Sequence, residues 1–310
     1  MALISVVTPC YNEEKNVEEV YVRVKQVLAK FPGHTYEHIF IDNASKDRTV
    51  EILKKLARDD KNLKIIVNSR NFGHIRSPHY GLLQSSGDAA ILLYSDLQDP
   101  PELIEDFIKK WEAGYKIVLG VKTNSRESAV MFLIRKMYYN LIGHLAEIEL
   151  TKNNNGFGLY DKEVINVLKT INDPYPYFRG LISEIGFESA KIEYVQMARQ
   201  RGITKNNFYT LYDMAMLGIT NHSKVPLRIA TMMGFAASIV SFLIALAYFG
   251  YKLLYWEKFT VGIAPVVIGL FFFSSVQLFF LGIVGEYIGS IYTQVLKRPL
   301  VVEKERINFN

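Results

Sequence analysis

The chain has 310 residues, 49% hydrophobic and 22% charged, with a net charge of +5 and one cysteine, Cys10. That balance excludes a disordered chain, and a lone cysteine excludes an internal disulfide and suits a reducing compartment. No basic run or basic helix face marks the charged part, so nucleic acid is not an expected partner.

The N-terminal text MALISVVTPCYNEE turns polar after a handful of apolar residues, and no signal peptide is expected. Residues 3–8 form an apolar run rich in Val and Ile, the pattern of a buried strand. Val17, Val20, Val24, Val27 and Leu28 then recur at helical spacing. Strand-like runs return at 38–41, 63–67, 89–94 and 117–121, with helical patterns between them at 49–58, 78–86 and 101–113. The last of these begins with suitable chemistry: Asp99 to cap, prolines for the first turn, and Glu102 and Glu105 near the positive end. Strand alternating with helix predicts an α/β fold, a mostly parallel sheet with flanking helices.

Near the C-terminus the composition changes. Residues 229–251 and 259–285 carry no charge, runs of 23 and 27 residues. A bilayer core needs about 20 apolar residues, so two transmembrane helices are expected. Lys224 and Arg228 precede the first run and Lys297 and Arg298 follow the second, whereas the connection holds only Lys252, Glu257 and Lys258. This bias places both termini in the cytoplasm, with the chain in the cytoplasmic (inner) membrane. The expected division is a catalytic domain over 1–205, an amphipathic juxtamembrane segment over 206–228, and a two-span anchor with a short tail over 229–310. Glu286 follows the second run directly, and a carboxylate at that depth calls for a partner. Arg228, or another basic group at the same interface, is the expected one.

Three strand ends are polar where a core would not require it: Thr8–Glu14, Asp42–Thr49 and Ser95–Pro101. Each could simply cap a helix, but in a doubly wound sheet all three meet at the edge where such folds bind ligands. The chemistry suits a nucleoside diphosphate. Tyr11 offers a face for a base, and Asp42 an acceptor for a ring N–H. Asp96 and Gln98 can direct oxygens at one Mg²⁺ or Mn²⁺ shared with phosphates.

The order VVTPCYNEE, IDNASKDRT, RNFGH and SDLQDPPELI resembles glycosyltransferase family 2, whose catalytic domain has the GT-A fold. DLQDPPE, together with two C-terminal spans ending GEYIGSIYTQVLKRP, is similar to its branch of bactoprenol glucosyltransferases and dolichyl-phosphate mannose synthases. The resemblance implies inverting transfer of a hexose from a nucleotide-sugar, UDP-glucose first, to polyprenyl phosphate. It further implies that Pro9, Tyr11, Glu13 and Asp42 hold base and ribose, that Asp96 and Gln98 bind the metal, and that Arg199 and Lys205 meet the phosphates. Lys122 and Arg135 are the candidates for the acceptor phosphate, and a second copy of the chain is a candidate partner.

Two positions depart from the family pattern. Tyr94 stands where relatives usually carry the first acid of Asp-x-Asp, and Asn155-Gly156-Phe157 stands where many carry Gly-Asp-Phe. A phosphate acceptor tolerates the second loss, because its oxygen is already ionised near neutral pH and needs no general base. Two other readings compete with lipid-linked transfer. A processive polysaccharide synthase would carry Q-x-x-R-W and more spans, whereas this chain has Gln196-Met197-Ala198-Arg199-Gln200. A non-catalytic nucleotide-sugar-binding membrane protein would fit the loss at Tyr94.

Overall fold

The computed structural model describes residues 1–124, 151, 153–197, 212, 216–221, 223–255 and 263–309. Arg135, Arg199 and Lys205, expected at the site, lie outside the described residues. An eight-stranded sheet forms the frame. Its strands are β1 (Leu3–Cys10), β2 (Thr35–Asp42), β3 (Leu63–Asn68), β4 (Ala89–Leu92), β5 (Ile117–Asn124), β6 (Gly158–Asp161), β7 (Ser189–Val195) and β8 (Glu303–Ile307), in the order β7-β5-β6-β4-β1-β2-β3-β8. β1 runs parallel to both β2 and β4, and β2 parallel to β3, while β6 is antiparallel to its neighbours β4 and β5.

Successive side chains on a strand face opposite ways, and here both faces are apolar. Ile4, Val6, Phe40 and Ile65 join one core cluster with Val17, Val20 and Val24 of α1 (Val17–Leu28), Leu53 of α2 (Thr49–Asp59) and Phe107 of α4 (Ile104–Glu112). Val7, Ile39, Ile41 and Ile66 join the other. Their partners there are Leu82 of α3 (Gly73–Leu83), Ile165 and Leu168 of α5 (Lys162–Thr170), and Leu181 of α6 (Phe178–Ile185). The result is a sheet covered on both faces. The third helix begins five residues before the proline that was expected to open it. Asn71 Oδ1 accepts from Gly73 N–H at 2.8 Å, starting the helix there and leaving Pro78 inside it.

α7 (Val225–Leu254) and α8 (Ile263–Val295) are both long and apolar enough to cross a membrane, and the apolar windows within them are not buried. Glu286 does not reach Arg228. Its Oε1 accepts from the Tyr212 hydroxyl at 2.8 Å, because Glu286 faces the segment before α7 while Arg228 is exposed. Residues 303–307, part of the tail in the division expected from sequence, return to the sheet as β8, antiparallel to β3. Glu305 pairs with Lys54 at 2.6 Å, and Asn308 donates to the carbonyls of Ala57 and Leu63 at 2.8 Å each. The tail thereby covers an edge that would otherwise be open for pairing.

Two buried histidines give the fold a pH dependence. His38 shares a 2.9 Å hydrogen bond with the Thr8 hydroxyl and is held at about 3 chiefly by burial. Burial likewise holds His79 at about 4. Both lie below the ~6.5 of a free histidine, so each is neutral when folded and takes up a proton on unfolding below that pH. The stability they carry is complete above about pH 6.5 and is lost as pH falls toward their folded values. Urea unfolding of the full chain in detergent should lose up to about 1.4 kcal/mol per histidine per pH unit in that window. A stability constant from pH 7 to 5 would contradict this.

Candidate functional site

The parallel register sets Cys10 of β1 level with Asp42 of β2, and Val7 of β1 level with Leu92 of β4. The three polar strand ends therefore leave the sheet side by side. Just beyond each strand a non-glycine residue adopts positive φ: Asn12 at 57°, Ala44 at 63° and Leu97 at 57°. Such backbone is uncommon and persists where surrounding contacts enforce it. Those contacts are present. Asn12 N–H donates to Ser45 Oγ at 2.8 Å, Lys46 N–H returns to Asn12 Oδ1 at 2.7 Å, and Glu13 N–H reaches Thr49 Oγ1 at 2.9 Å. Ser95 Oγ donates to the Pro9 carbonyl at 2.9 Å, tying the β4 end to the β1 end.

These loops open onto a cleft of about 530 Å³. Among the residues expected from sequence, Pro9, Tyr11, Glu13, Asp96, Gln98 and Lys122 line it. Asp42 does not. It is fully buried, its Oδ2 accepting from Ser45 N–H at 2.9 Å and its Oδ1 from the Ser45 hydroxyl. Burial raises its pKa, and it lies behind Cys10, whose Sγ is 3.9 Å from the carboxylate. Asp42 thus braces the turn under the cleft, because the turn already takes up both of its oxygens.

Asp96 accepts from Gln98 N–H at 3.2 Å. Gln98 in turn holds Met197: its carbonyl accepts from Met197 N–H at 3.1 Å, and its Nε2 donates to Met197 O at 3.4 Å. Met197 is the last described residue before Arg199. Asp99 departs from its expected part. It makes no cap, since Pro100 holds that position without a side-chain bond. It is instead 1% exposed and turned inward, accepting from Asn155 Nδ2 at 2.7 Å, from the Tyr194 hydroxyl and from Gln196 Nε2 at 3.4 Å. One carboxylate thereby joins the β4 loop, the segment before β6 and the end of β7.

The two departures from the family pattern meet in space. The Tyr94 hydroxyl donates to the Asn155 carbonyl at 2.9 Å, and burial raises its pKa, so it is a neutral phenol. A Cβ on Gly156 would stand 3.4 Å from that hydroxyl and 3.4 Å from Phe178, and φ there is +98°. The positive φ favours glycine at 156, and the Tyr94 hydroxyl borders the position within ordinary contact. Sequence reasoning also missed Arg179 and Asn43. Arg179 lines the cleft and donates to the Asn154 carbonyl at 3.2 Å. Asn43 holds Asn71 and the Gly73 carbonyl at 2.9 and 3.0 Å. The run Asn153-Asn154-Asn155 before a glycine was a visible signal of a built loop, whereas Arg179 carries none in its spacing.

The glycosyl transferase family 2 model matches residues 5–167, which include all three strand ends. Relatives match along nearly the whole length, α7 and α8 included. The uncharacterized glycosyltransferase YkcC of Bacillus subtilis is 36% identical, covering 96% of this chain and 92% of its own. A prophage-derived bactoprenol glucosyl transferase of Shigella flexneri is 33% identical, covering 97% of each. Among solved structures, Mycobacterium tuberculosis glucosyl-3-phosphoglycerate synthase with Mn²⁺, UDP and phosphoglyceric acid is 20% identical. Its TM-score is 0.48, over 71% of this chain and 76% of that one. The chain belongs to glycosyl transferase family 2 and is a glycosyltransferase.

Proposed function

We propose that this enzyme moves one hexose, from UDP-glucose in the favoured reading, onto a polyprenyl phosphate at the cytoplasmic face of the inner membrane. The observation that carries the reading is the joining of a polar cleft at the sheet edge to two unburied apolar helices in one chain. The full-length likeness to bactoprenol glucosyl transferases supports it. The division proposed is a catalytic domain over 1–205, a juxtamembrane segment over 206–228, and an anchor over 229–310 whose last strand returns to the catalytic sheet. That return, with β1 at the other end of the chain, supports placing both termini on the catalytic side of the membrane.

In this reading Pro9, Tyr11 and Glu13 receive base and ribose, with Asp42 bracing the turn below them. Arg199 and Lys205 meet the donor phosphates, and Lys122 and Arg135 the acceptor phosphate. Asp96 and Gln98 would hold Mg²⁺ or Mn²⁺. No group of three or more His, Cys, Asp or Glu gathers among the described residues. One carboxylate and one amide oxygen nonetheless fit a hard cation that draws its other ligands from substrate phosphates and water. Bound there, the cation neutralises charge on the departing diphosphate. An acceptor phosphate oxygen attacks the anomeric carbon from the face opposite the diphosphate. The bond from that carbon to the diphosphate oxygen breaks, and its electron pair leaves with the nucleoside diphosphate. The nucleophile carries no proton that must be removed, so the residues act by positioning and charge neutralisation. That accords with Tyr94 and Gly156 standing where relatives often carry acids.

The test is transfer of label from a panel of nucleotide-sugars to a short polyprenyl phosphate by the full chain in detergent with Mg²⁺. UDP-glucose should be the best donor, and Asp96→Ala should lower the rate by at least about a hundredfold with its melting point unchanged. No lipid-borne label from any donor would contradict the function, and an undiminished Asp96→Ala would remove the metal assignment. Asp99→Ala leaves the buried Tyr194 hydroxyl and the half-buried Asn155 amide without this acceptor. It should lower the unfolding free energy by about 2–4 kcal/mol in urea titration. An unchanged value would show that the carboxylate does not join these segments.

A further inference from the structure

A second cleft, of about 560 Å³, lies where the catalytic domain meets the anchor. α8 lines it with Gly282, Gly285 and Gly289, whose spacing places them on one helix face. A Cβ added at any of the three would meet nothing within 4 Å. Glycine inside a helix costs about 1 kcal/mol relative to alanine, and no packing against the described residues explains its use here. The glycines open onto space.

The catalytic domain contributes Arg76 and Tyr175. The Arg76 guanidinium lies over the Tyr175 ring, 5.2 Å from its centroid, and its Nε is buried with no hydrogen-bond partner among the described residues. No carboxylate pairs with it among those residues either. An orphaned buried donor on a fixed cation is costly unless something accepts from it. A phosphate matches a guanidinium in both charge and geometry.

The groove has a direction. Gln294 Nε2 donates to Asp173 Oδ1 at 2.8 Å, two residues from Tyr175, which places Arg76 toward the catalytic end of α8. Glu286 lies eight residues earlier, about 12 Å along the helix axis, and its carboxylate accepts from Tyr212. From the cation, the glycine face runs toward the uncharged part of α8. One cationic end and a glycine face that leads to the uncharged part of α8, with Asn221, Glu286 and Ser290 as polar lining beside it, suit an amphiphile with an anionic head and a hydrocarbon chain. The neighbouring residues set its relation to the first cleft: Ile75 and Ser77 line the nucleotide cleft on either side of Arg76, and Pro176 does so beside Tyr175. The two clefts share these walls.

We propose that this second cleft is where the lipid acceptor enters, Arg76 taking the phosphate of a polyprenyl phosphate before it passes to Lys122 and Arg135 at the donor cleft, and the Gly282–Gly285–Gly289 face taking its first isoprene units. The proposal rests on the lipid-phosphate reading above and adds the entry site. It makes Arg76 a binding residue that sequence spacing did not mark, one residue removed from the donor cleft.

The test measures binding and transfer with the full chain in detergent, using a long-chain fluorescent polyprenyl phosphate, the matching polyprenol, inorganic phosphate and a nucleotide-sugar. Gly285→Leu fills the groove at a position with room for a side chain, so its melting point should hold. It should weaken the polyprenyl phosphate by about tenfold and leave inorganic phosphate and nucleotide-sugar unchanged. Arg76→Gln should weaken the polyprenyl phosphate by at least about tenfold, leave the polyprenol unchanged, and be partly rescued in Arg76→Lys. If the wild type transfers sugar to the lipid and both variants match it, this site is overturned while the function stands. If inorganic phosphate binds as tightly as the lipid and Gly285→Leu weakens both, the cleft is a phosphate site and the lipid assignment is overturned. A wild type that neither binds nor glycosylates polyprenyl phosphate overturns the function, and this site with it.

Discussion

Everything at the sheet-edge cleft depends on β1 being held between two parallel neighbours. Because β1 is in register with β2 on one side and β4 on the other, three chain segments far apart in sequence reach the same edge together. Burial on both faces enforces that register: Val6 and Val7 point into different core clusters, and a one-residue slip would exchange them. The positive-φ turns at Asn12, Ala44 and Leu97 follow from it. Each loop must turn sharply at the sheet edge, and neighbouring loops supply the hydrogen bonds that hold those turns.

Polar groups behind the cleft do the second part of the work. Asp42 and Asp99 both looked like ligands or caps in the sequence, and both are buried acceptors that hold loops in place. The exposed chemistry is left to Asp96, Gln98, Lys122 and Arg179. Tyr94 belongs with the bracing residues: its hydroxyl donates to the Asn155 carbonyl and borders the space beside Gly156. The acid nearest position 156, Asp99, is already taken up by Asn155 and Tyr194.

Much of this was legible before any coordinates. Apolar runs identified β1 to β5, uncharged stretches the two long helices, and polar strand ends the cleft, whereas β6 and β7 went unmarked. What stayed hidden depended on partners distant in sequence. Asp99 precedes prolines and resembles a cap, yet Tyr194, 95 residues on, draws it inward. Glu286 appeared to need a cation and found the Tyr212 hydroxyl. Glu303–Ile307 is too short and too charged to announce a strand, but the open edge of β3 and the ion pair to Lys54 make it one. Arg76 carries no mark in the sequence, and the meeting of α3, the Tyr175 loop and α8 gives it a cleft to face.

The long helices are joined to the rest of the chain at the start of α7 and near the end of α8. Tyr287 donates to the Ser223 carbonyl at 2.5 Å beside the start of α7, and β8 follows α8 back into the sheet. These contacts tie the apolar helices to the sheet that carries the cleft. The most direct measurement is the identity of the product made from an α-linked nucleotide-sugar and polyprenyl phosphate, by mass and by the configuration of its anomeric carbon. The expected product is the lipid phosphate bearing a single β-linked hexose. A chain of several sugars, an α-linked product, or free hexose with the lipid unchanged would contradict it.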